Sequence, residues 1–371
     1  MKIDLIDLKK KYQNEKKELN KVINSVLKKG NLVLTDELEN FEKKICKFVN
    51  SKFCLGLNSG TDALMMSLLA AGIRKGDEVI TSPISFIATI GAIIHIGAKP
   101  VFVDVEEGTL NMNPKLIQKA ITKKTKAIMP VHWGGNLCDM KTISNIAKKN
   151  KLLLIEDAAQ AMGAFLKGKH AGTFGHISCF SAHPLKNLNA LGDGGFLITN
   201  KKKYYNFIKL YRNHGLKGRD NVKIFGVNSR LDSLNAEILS LRLKKLKKMV
   251  VLRNINAKFY KSNILTNKIS FIKNLSNTSN AYVMFLVLCE KRNQLQSYLK
   301  SKGIQSLIYY GKPLHQHYAS KILNYKKNSF PIAEQVCKKV LALPIHQFLK
   351  KNELKFICKN INDFYENDSS L

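Results

Sequence analysis

The chain has 371 residues, room for two to three domains at about 150 residues each, and its 45% apolar and 24% charged residues are ordinary for a globular protein. Its longest nearly apolar stretch, 87–98, is interrupted by Thr89 and His95 and falls short of the ~20 residues a membrane span needs. The opening MKIDLIDLKKKYQ lacks the hydrophobic centre of a secretory leader, so no membrane association and a cytoplasmic location are expected. Net charge is +34, from 61 Lys and Arg of which seven are Arg. The basic doublets punctuate the whole chain instead of gathering on one face among aromatics. That excludes a focused nucleic-acid footprint and predicts a lysine-rich solvated surface that draws in anionic small molecules. Seven scattered cysteines, with no paired CxxC and no Cys/His spacing of a metal site, read as reduced thiols.

In chain order, apolar runs rich in β-branched residues at 78–81, 100–103, 127–131, 152–155, 177–180 and 196–199 alternate with helix-length segments at 61–71, 86–96, 114–121 and 140–150. Strand and helix in turn predict an α/β layer on a largely parallel sheet, with ligands beyond the carboxyl ends of the strands. From Asn235 a long Leu/Lys helix takes over, its apolar residues three and four apart. Beyond about Ile269 a strand at 281–288, a helix at 293–302 and a closing helix at 352–365 predict a smaller α+β domain. The division expected is 1–248 and 249–371.

Three segments carry chemistry. LNSGTDAL, 57–64, places glycine and hydroxyls before a helix, which makes either a phosphate cradle at the helix start or a capping box through Ser59 and Asp62. LLLIEDAAQ, 152–160, delivers Glu156 and Asp157 to a strand end, where a carboxylate either holds a protonated ring nitrogen by a charge-assisted hydrogen bond of roughly 1.5–3 kcal/mol or, as Asp157, caps the following turn with Gln160. HISCFSAHPLKNLNALGDGG, 176–195, sets Lys186 after a short strand and before a glycine-rich return. One lysine among 54 means little by type, but an amine held there away from bulk water has the setting of an imine-forming nucleophile.

The order of these segments, with Phe86 between the first and second and Lys186 following Asp157 by 29 residues, resembles the DegT/DnrJ/EryC1/StrS sugar aminotransferases. The likeness runs from IDLIDLKKKYQ through NSGTDAL, AKPVFVDVEEGTLNM, KAIMPVHWGG, IEDAAQAMGA, LYRNHG and GVNSRLDSLNAEIL to PLHQHY and LALPIHQFL. It implies a fold-type-I scaffold, with a large mostly parallel-sheet domain and a smaller C-terminal α+β domain, and pyridoxal 5'-phosphate as cofactor. It further implies Lys186 as the cofactor-binding lysine and proton carrier, Asp157 at the pyridine nitrogen, Phe86 stacked on the ring or packed in the core, Gly60, Thr61 and Ser181 at the phosphate, and Gln160 at the ring oxygen. Asn228 is implied to reach the cofactor phosphate of a second subunit, in a homodimer with shared sites.

The implied reaction moves the amino group of L-glutamate to a nucleotide-linked ketosugar. The G-D-G-G return at 192–195 favours a 3-keto over a 4-keto sugar. A pyridoxal-phosphate protein that regulates without turnover is the alternative class. Tyr309, Tyr310 and His315 align with a substrate-proximal stretch, although YYGKPLHQH departs from the commoner tyrosine-proline form. His183 is read as a turn residue, whereas Arg212, His214 and Arg230 meet either an anionic ligand group or their own loops.

Overall fold

The computed structural model describes residues 1–368. After helices α1 (Leu8–Lys29) and α2 (Asp36–Val49), the chain alternates as β1 (Phe53–Leu57), α3 (Gly60–Ala70), β2 (Glu78–Thr81), α4 (Ala88–His95), β3 (Lys99–Phe102), α5 (Pro114–Ala120), β4 (Thr125–Met129), α6 (Met140–Lys149) and β5 (Leu153–Asp157). Two short strands, β6 (Phe165–Leu166) and β7 (Lys169–His170), lead into β8 (Ile177–Ser181), β9 (Gly195–Thr199), α7 (Lys202–Tyr211) and the long α8 (Ser233–Asn263). The remainder is β10 (Ile269–Phe271), β11 (Thr278–Ser279), β12 (Phe285–Cys289), α9 (Arg292–Ser301), α10 (Pro331–Lys339), β13 (Val340–Leu343) and α11 (Lys351–Asp368).

The main sheet has the order β1-β9-β8-β5-β4-β2-β3. Pairing is parallel from β3 through β8, and β9 alone runs against its two neighbours. The carboxyl ends of β1, β2, β5 and β8 therefore share one edge with the start of β9. Helices cover both faces, which is why β2, β8 and β9 read as continuous apolar runs: Phe180 and Phe196 stack toward the α2/α8 side at 4.9 Å, while Leu55, Leu197 and Cys179 meet α3 and α7 on the other.

At about 1.5 Å per residue, the 31 residues of α8 span about 46 Å. Its first half buries Leu239, Leu243 and Leu246 against the main sheet, and its second half buries Ala257 and Tyr260 in another core, around the three-stranded sheet β10-β12-β13. Ile3 joins that second core and pairs with Ile304, so the amino-terminal residues lie across both units. The strand expected at 281–288 occupies 285–289. Asn280 Oδ1 takes the Tyr282 N–H at 2.7 Å and Arg253 takes the Tyr282 carbonyl at 2.7 Å, which removes from the ladder the backbone groups that would extend it. The helix expected from 86 begins at Ala88, leaving Phe86 in the turn before it. All seven cysteines are free, and six are buried. Among the described residues no helix is long and apolar enough to cross a membrane.

Candidate active site

A cavity of about 450 Å3 opens at the shared strand edge, and its walls include Gly60, Thr61, Phe86, Asp157, Gln160, Ser181, Lys186, Tyr309 and Tyr310. One corner is the start of α3. Ser59 Oγ accepts the Asp62 N–H at 3.1 Å, so the cap anticipated from the sequence is made. The cap still leaves the Gly60 and Thr61 amides without an intramolecular partner among the described residues, at the positive end of the helix dipole. Neither glycine in this corner admits a side chain: a Cβ on Gly60 would lie 2.8 Å from Ser181 Cβ, and one on Gly195 would lie 2.5 Å from Gly60 N. Free amides, a dipole end and the Ser181 hydroxyl form an anion cradle.

Asp157 ends β5, buried, with Oδ1 accepting the Ala159 N–H at 3.2 Å and Oδ2 accepting the Thr89 hydroxyl at 2.7 Å. The Thr89 oxygen lies 2.6 Å from Ser85 Oγ. Since Thr89 donates to the carboxylate, Ser85 donates to Thr89. Burial raises the Asp157 pKa, against the pull of the Thr89 and Ala159 bonds and the Lys186 charge. Lys186 shows the opposite response: burial lowers its pKa, and Asp157 only partly restores it. A carboxyl that wants a cationic partner thus faces an amine that loses its proton easily.

Gln160 Oε1 accepts the Gly134 N–H at 2.8 Å, which turns its NH2 group away and into the cavity. Burial, and then the neighbouring Tyr309, push the Tyr310 phenol up, with a bond to Gln160 acting against them, so Tyr310 is a neutral hydroxyl there. Phe86, 54% exposed, stands 6.3 Å from the Tyr310 ring across the cavity mouth.

Three expected residues lie elsewhere. His315 is buried with Nε2 on Glu334 at 3.1 Å and its ring against Phe330 and Phe102, so in this chain it packs and does not face the cavity. Asn228 is bridged to Asn213 through the backbone, and Arg230 donates to Asn213 Oδ1 at 3.0 Å; neither lines the cavity of its own chain. Arg212 is settled as a loop anchor, donating to Glu42 at 2.6 Å and to the Gly56 carbonyl at 2.8 Å. His183 lines the cavity at a turn, its Nδ1 accepting the Leu185 N–H at 3.3 Å.

Sequence reasoning missed Thr89 and Ser85. Their spacing of four was visible, but nothing in one sequence says that a helix-start hydroxyl meets a strand-end carboxylate 68 residues on. Glu156, which the sequence places beside Asp157 without a role of its own, faces away from the cavity and gathers His132 Nε2 at 3.0 Å, the Gly172, Phe174 and Gly175 amides at 2.8, 2.8 and 2.5 Å, and the Ser178 hydroxyl at 3.1 Å. Burial opposes its ionisation, yet the His132 contact and the amides outweigh it and hold the Glu156 carboxyl below the usual range. The Cys138 N–H donates to His132 Nδ1 at 3.2 Å, which leaves Nε2–H to donate to Glu156.

A mixed seven-stranded sheet carrying an anion cradle beyond β1, a buried aspartate at the end of β5 and a desolvated lysine on the loop after β8 defines a fold-type-I aminotransferase. The chain belongs to the DegT/DnrJ/EryC1/StrS aminotransferase family, whose model matches residues 13–362. It is 37% identical over 369 residues to a pleiotropic regulatory protein of Geobacillus stearothermophilus, covering 98% of this chain and 99% of that one. It is also 37% identical over 362 residues to the dTDP-3-amino-3,6-dideoxy-alpha-D-galactopyranose transaminase of Aneurinibacillus thermoaerophilus, again with 98% and 99% covered. The crystal structure of DesV from S. venezuelae superposes with a TM-score of 0.96 at 33% identity over 98% of this chain and 99% of that one. The cofactor of the family is pyridoxal phosphate. The residues present fit it: two free amides in a corner closed to side chains suit the phosphate, and a buried carboxylate suits the ring nitrogen.

Proposed function

We propose that this protein transfers the amino group of L-glutamate to a nucleotide-linked ketosugar, with a 3-keto sugar preferred. The observation that carries the reading is the pairing of Asp157 and Lys186 in one cavity whose burial shifts their proton affinities in opposite directions. Bound pyridoxal phosphate is an electron sink that lets a proton leave the carbon bearing the amino group. Asp157, oriented by Thr89, would keep the ring nitrogen of that group protonated. Lys186 Nζ, its pKa lowered by desolvation, would accept the donor's α-proton and hand it on. Gly60, Thr61 and Ser181 would hold the phosphate, and Gln160, turned by Gly134, would offer its NH2 to the ring oxygen. Phe86, Tyr309 and Tyr310 would form the wall over ring and sugar.

Support for the sugar class comes from the transaminase of Aneurinibacillus, named for a dTDP-linked 3-amino sugar, and from Asp193 of the G-D-G-G return, which stands in the cavity wall. The positive surface favours capture of a nucleoside diphosphate. A homodimer is part of the proposal: Asn228 lies outside its own cavity, on a segment whose Phe225 is 96% exposed, and it would serve the partner's phosphate. The match to a pleiotropic regulatory protein keeps a regulatory role as the second reading. Offering the enzyme L-glutamate with a panel of nucleotide-linked 3-keto and 4-keto sugars, and locating the new amine by NMR, tests the assignment. Amination at C3 is expected. Amination only at C4 overturns the sugar preference, and no amination of any sugar moves the regulatory reading to the front.

A further inference from the structure

The loop that presents Lys186 has a second face, turned away from the cofactor cavity onto α1 and α8, where a set of polar contacts surrounds Asn189. Lys11 of α1 donates through Nζ to Asn189 Oδ1. Asn189 Nδ2 donates to the Pro184 carbonyl at 2.6 Å, so its amide ties together the residues two before and three after Lys186. One helical turn beyond Lys11, Glu15 pairs with Arg242 of α8, whose Nη1 donates to the Asn189 carbonyl at 2.5 Å and the Ala190 carbonyl at 3.2 Å. The Leu191 N–H donates to Asn235 Oδ1 at 3.0 Å.

Lys11 is the member of this set that ordinary packing does not explain. A lysine on an amphipathic helix runs its stem along the protein and keeps its ammonium in water. Lys11 instead points into a small cavity of about 20 Å3 whose wall includes Lys186, Asn187 and Arg253. Burial, and then the charge of Arg242, lower its pKa to about 7. Leu188 and Ala190 of the loop pack into the core with Leu239 and Leu243 of α8, but Asn189 between them is held by directed bonds, and Lys11 supplies the one that sets its side chain.

We propose that Lys11 is a positioning residue for Lys186: by orienting the Asn189 amide it fixes the Pro184 carbonyl and the turn between them, and so the approach of Lys186 Nζ to the cavity beside Asp157. This rests on the assignment of Lys186 made above. Misplacement of a reacting group by about 1 Å can cost on the order of 10²-fold in rate, and substrate binding on the opposite wall should be spared.

The experiment uses the full-length enzyme loaded with pyridoxal phosphate. Lys11→Met removes the donor and keeps the stem, whereas Lys11→Gln keeps a donor without the charge. The expected result for Lys11→Met is a kcat lower by about 10- to 100-fold, KM for both substrates within about twofold, and a displaced apparent pKa of the visible band of the lysine-bound cofactor. Lys11→Gln should recover kcat to within about threefold, and adding Lys11→Met to Asn189→Ala should have no further effect, because the two act as one unit. Lys245→Ala, which breaks an exposed ion pair with Glu18 on the same helix contact, should leave all readings unchanged. Unaltered kcat and band pKa in Lys11→Met would overturn the role, as would full additivity with Asn189→Ala. If Lys11→Met does not fold, Lys11→Gln decides: a folded, loaded variant more than about tenfold slower overturns the proposal. Absence of a lysine-bound band in the wild-type enzyme would overturn the Lys186 assignment itself, a separate failure.

Discussion

Thr89→Val removes the hydroxyl donor to Asp157 at the centre of the site, together with the bond that hydroxyl accepts from Ser85. The two side chains are nearly isosteric, and Thr89 is 1% exposed, so the substitution removes the 2.7 Å donor to Asp157 Oδ2 without opening a cavity. A bond from a hydroxyl to a buried carboxylate contributes about 1.5–3 kcal/mol, and its loss lets burial raise the Asp157 pKa further. The ceiling on rate is therefore about 10²-fold. Because the bond exists in the ground state as well as the transition state, only part of it reaches kcat, and a fall of about 5- to 20-fold is expected. Stopped-flow measurement of the glutamate half-reaction, followed by loss of the visible band, reads this step directly. Thr89→Ser restores the donor and should recover most of the rate. A Thr89→Val enzyme within twofold of wild type in this assay would refute the claim that the hydroxyl tunes Asp157.

Lys186→Ala should leave fold and assembly intact while lowering turnover at least ~10²–10⁴-fold, the range for loss of a general base, measured by steady-state amination together with circular dichroism. If Asn228 serves the partner's phosphate, mixing inactive Lys186→Ala chains with inactive Asn228→Asp chains should restore activity, since one site of each mixed dimer then carries neither defect; no rescue with mixed dimers shown to form would refute sharing. For the cofactor-free protein, Lys11 titrates near 7 when folded against an ordinary 10.5. The unfolded chain thus binds more protons at this residue between those values, and its contribution makes stability rise with pH across that window. Lys11→Gln should flatten that rise in melting temperature.

The alternation of strands and helices was legible because a sheet covered on both faces demands continuous apolar runs, and residues such as Val79, Ile80, Leu154 and Ile177 can serve in no exposed element. Asp157 stood out for a related reason, as a polar residue ending an apolar strand, whereas the Gly60 turn read equally as a helix cap and Lys186, on the loop beyond β8, gained its place from its setting and the family resemblance. What stayed hidden depends on partners distant in sequence. His315 reads as a ligand-facing histidine until Glu334, Phe102 and Phe330 close around it. Lys11 is one of three consecutive lysines, and its burial is set by a loop nearly 180 residues away. The strand expected from 281 starts late because Asn280 and Arg253 claim backbone groups that local pattern assigns to a ladder.

Acidic residues are scarce in this chain, 27 against 61 basic ones, and three of them are buried beneath the loops that form the site. Glu42 accepts the Gly56 N–H at 2.8 Å and pairs with Arg212, which in turn holds the Gly56 carbonyl; this fixes β1 just before the Gly60 cradle. Glu156 gathers three backbone amides and His132 directly behind Asp157. Glu15, through Arg242, holds the loop of Lys186. Buried ion pairs are poor sources of net stability, because desolvation offsets most of the attraction, but they are intolerant of displacement. Their placement under each functional loop argues that they serve position. Glu42→Leu alone should destabilise the protein by about 3–5 kcal/mol, leaving Arg212 charged and unpaired, whereas the pair Glu42→Leu with Arg212→Met should recover most of that loss. The double variant should nonetheless bind pyridoxal phosphate more weakly than wild type, measured by equilibrium dialysis, since the Gly56 N–H and carbonyl then lose both side-chain partners and β1 is held there by β9 alone. Wild-type cofactor affinity in a stable double variant would show that the ion pair is dispensable for the cradle.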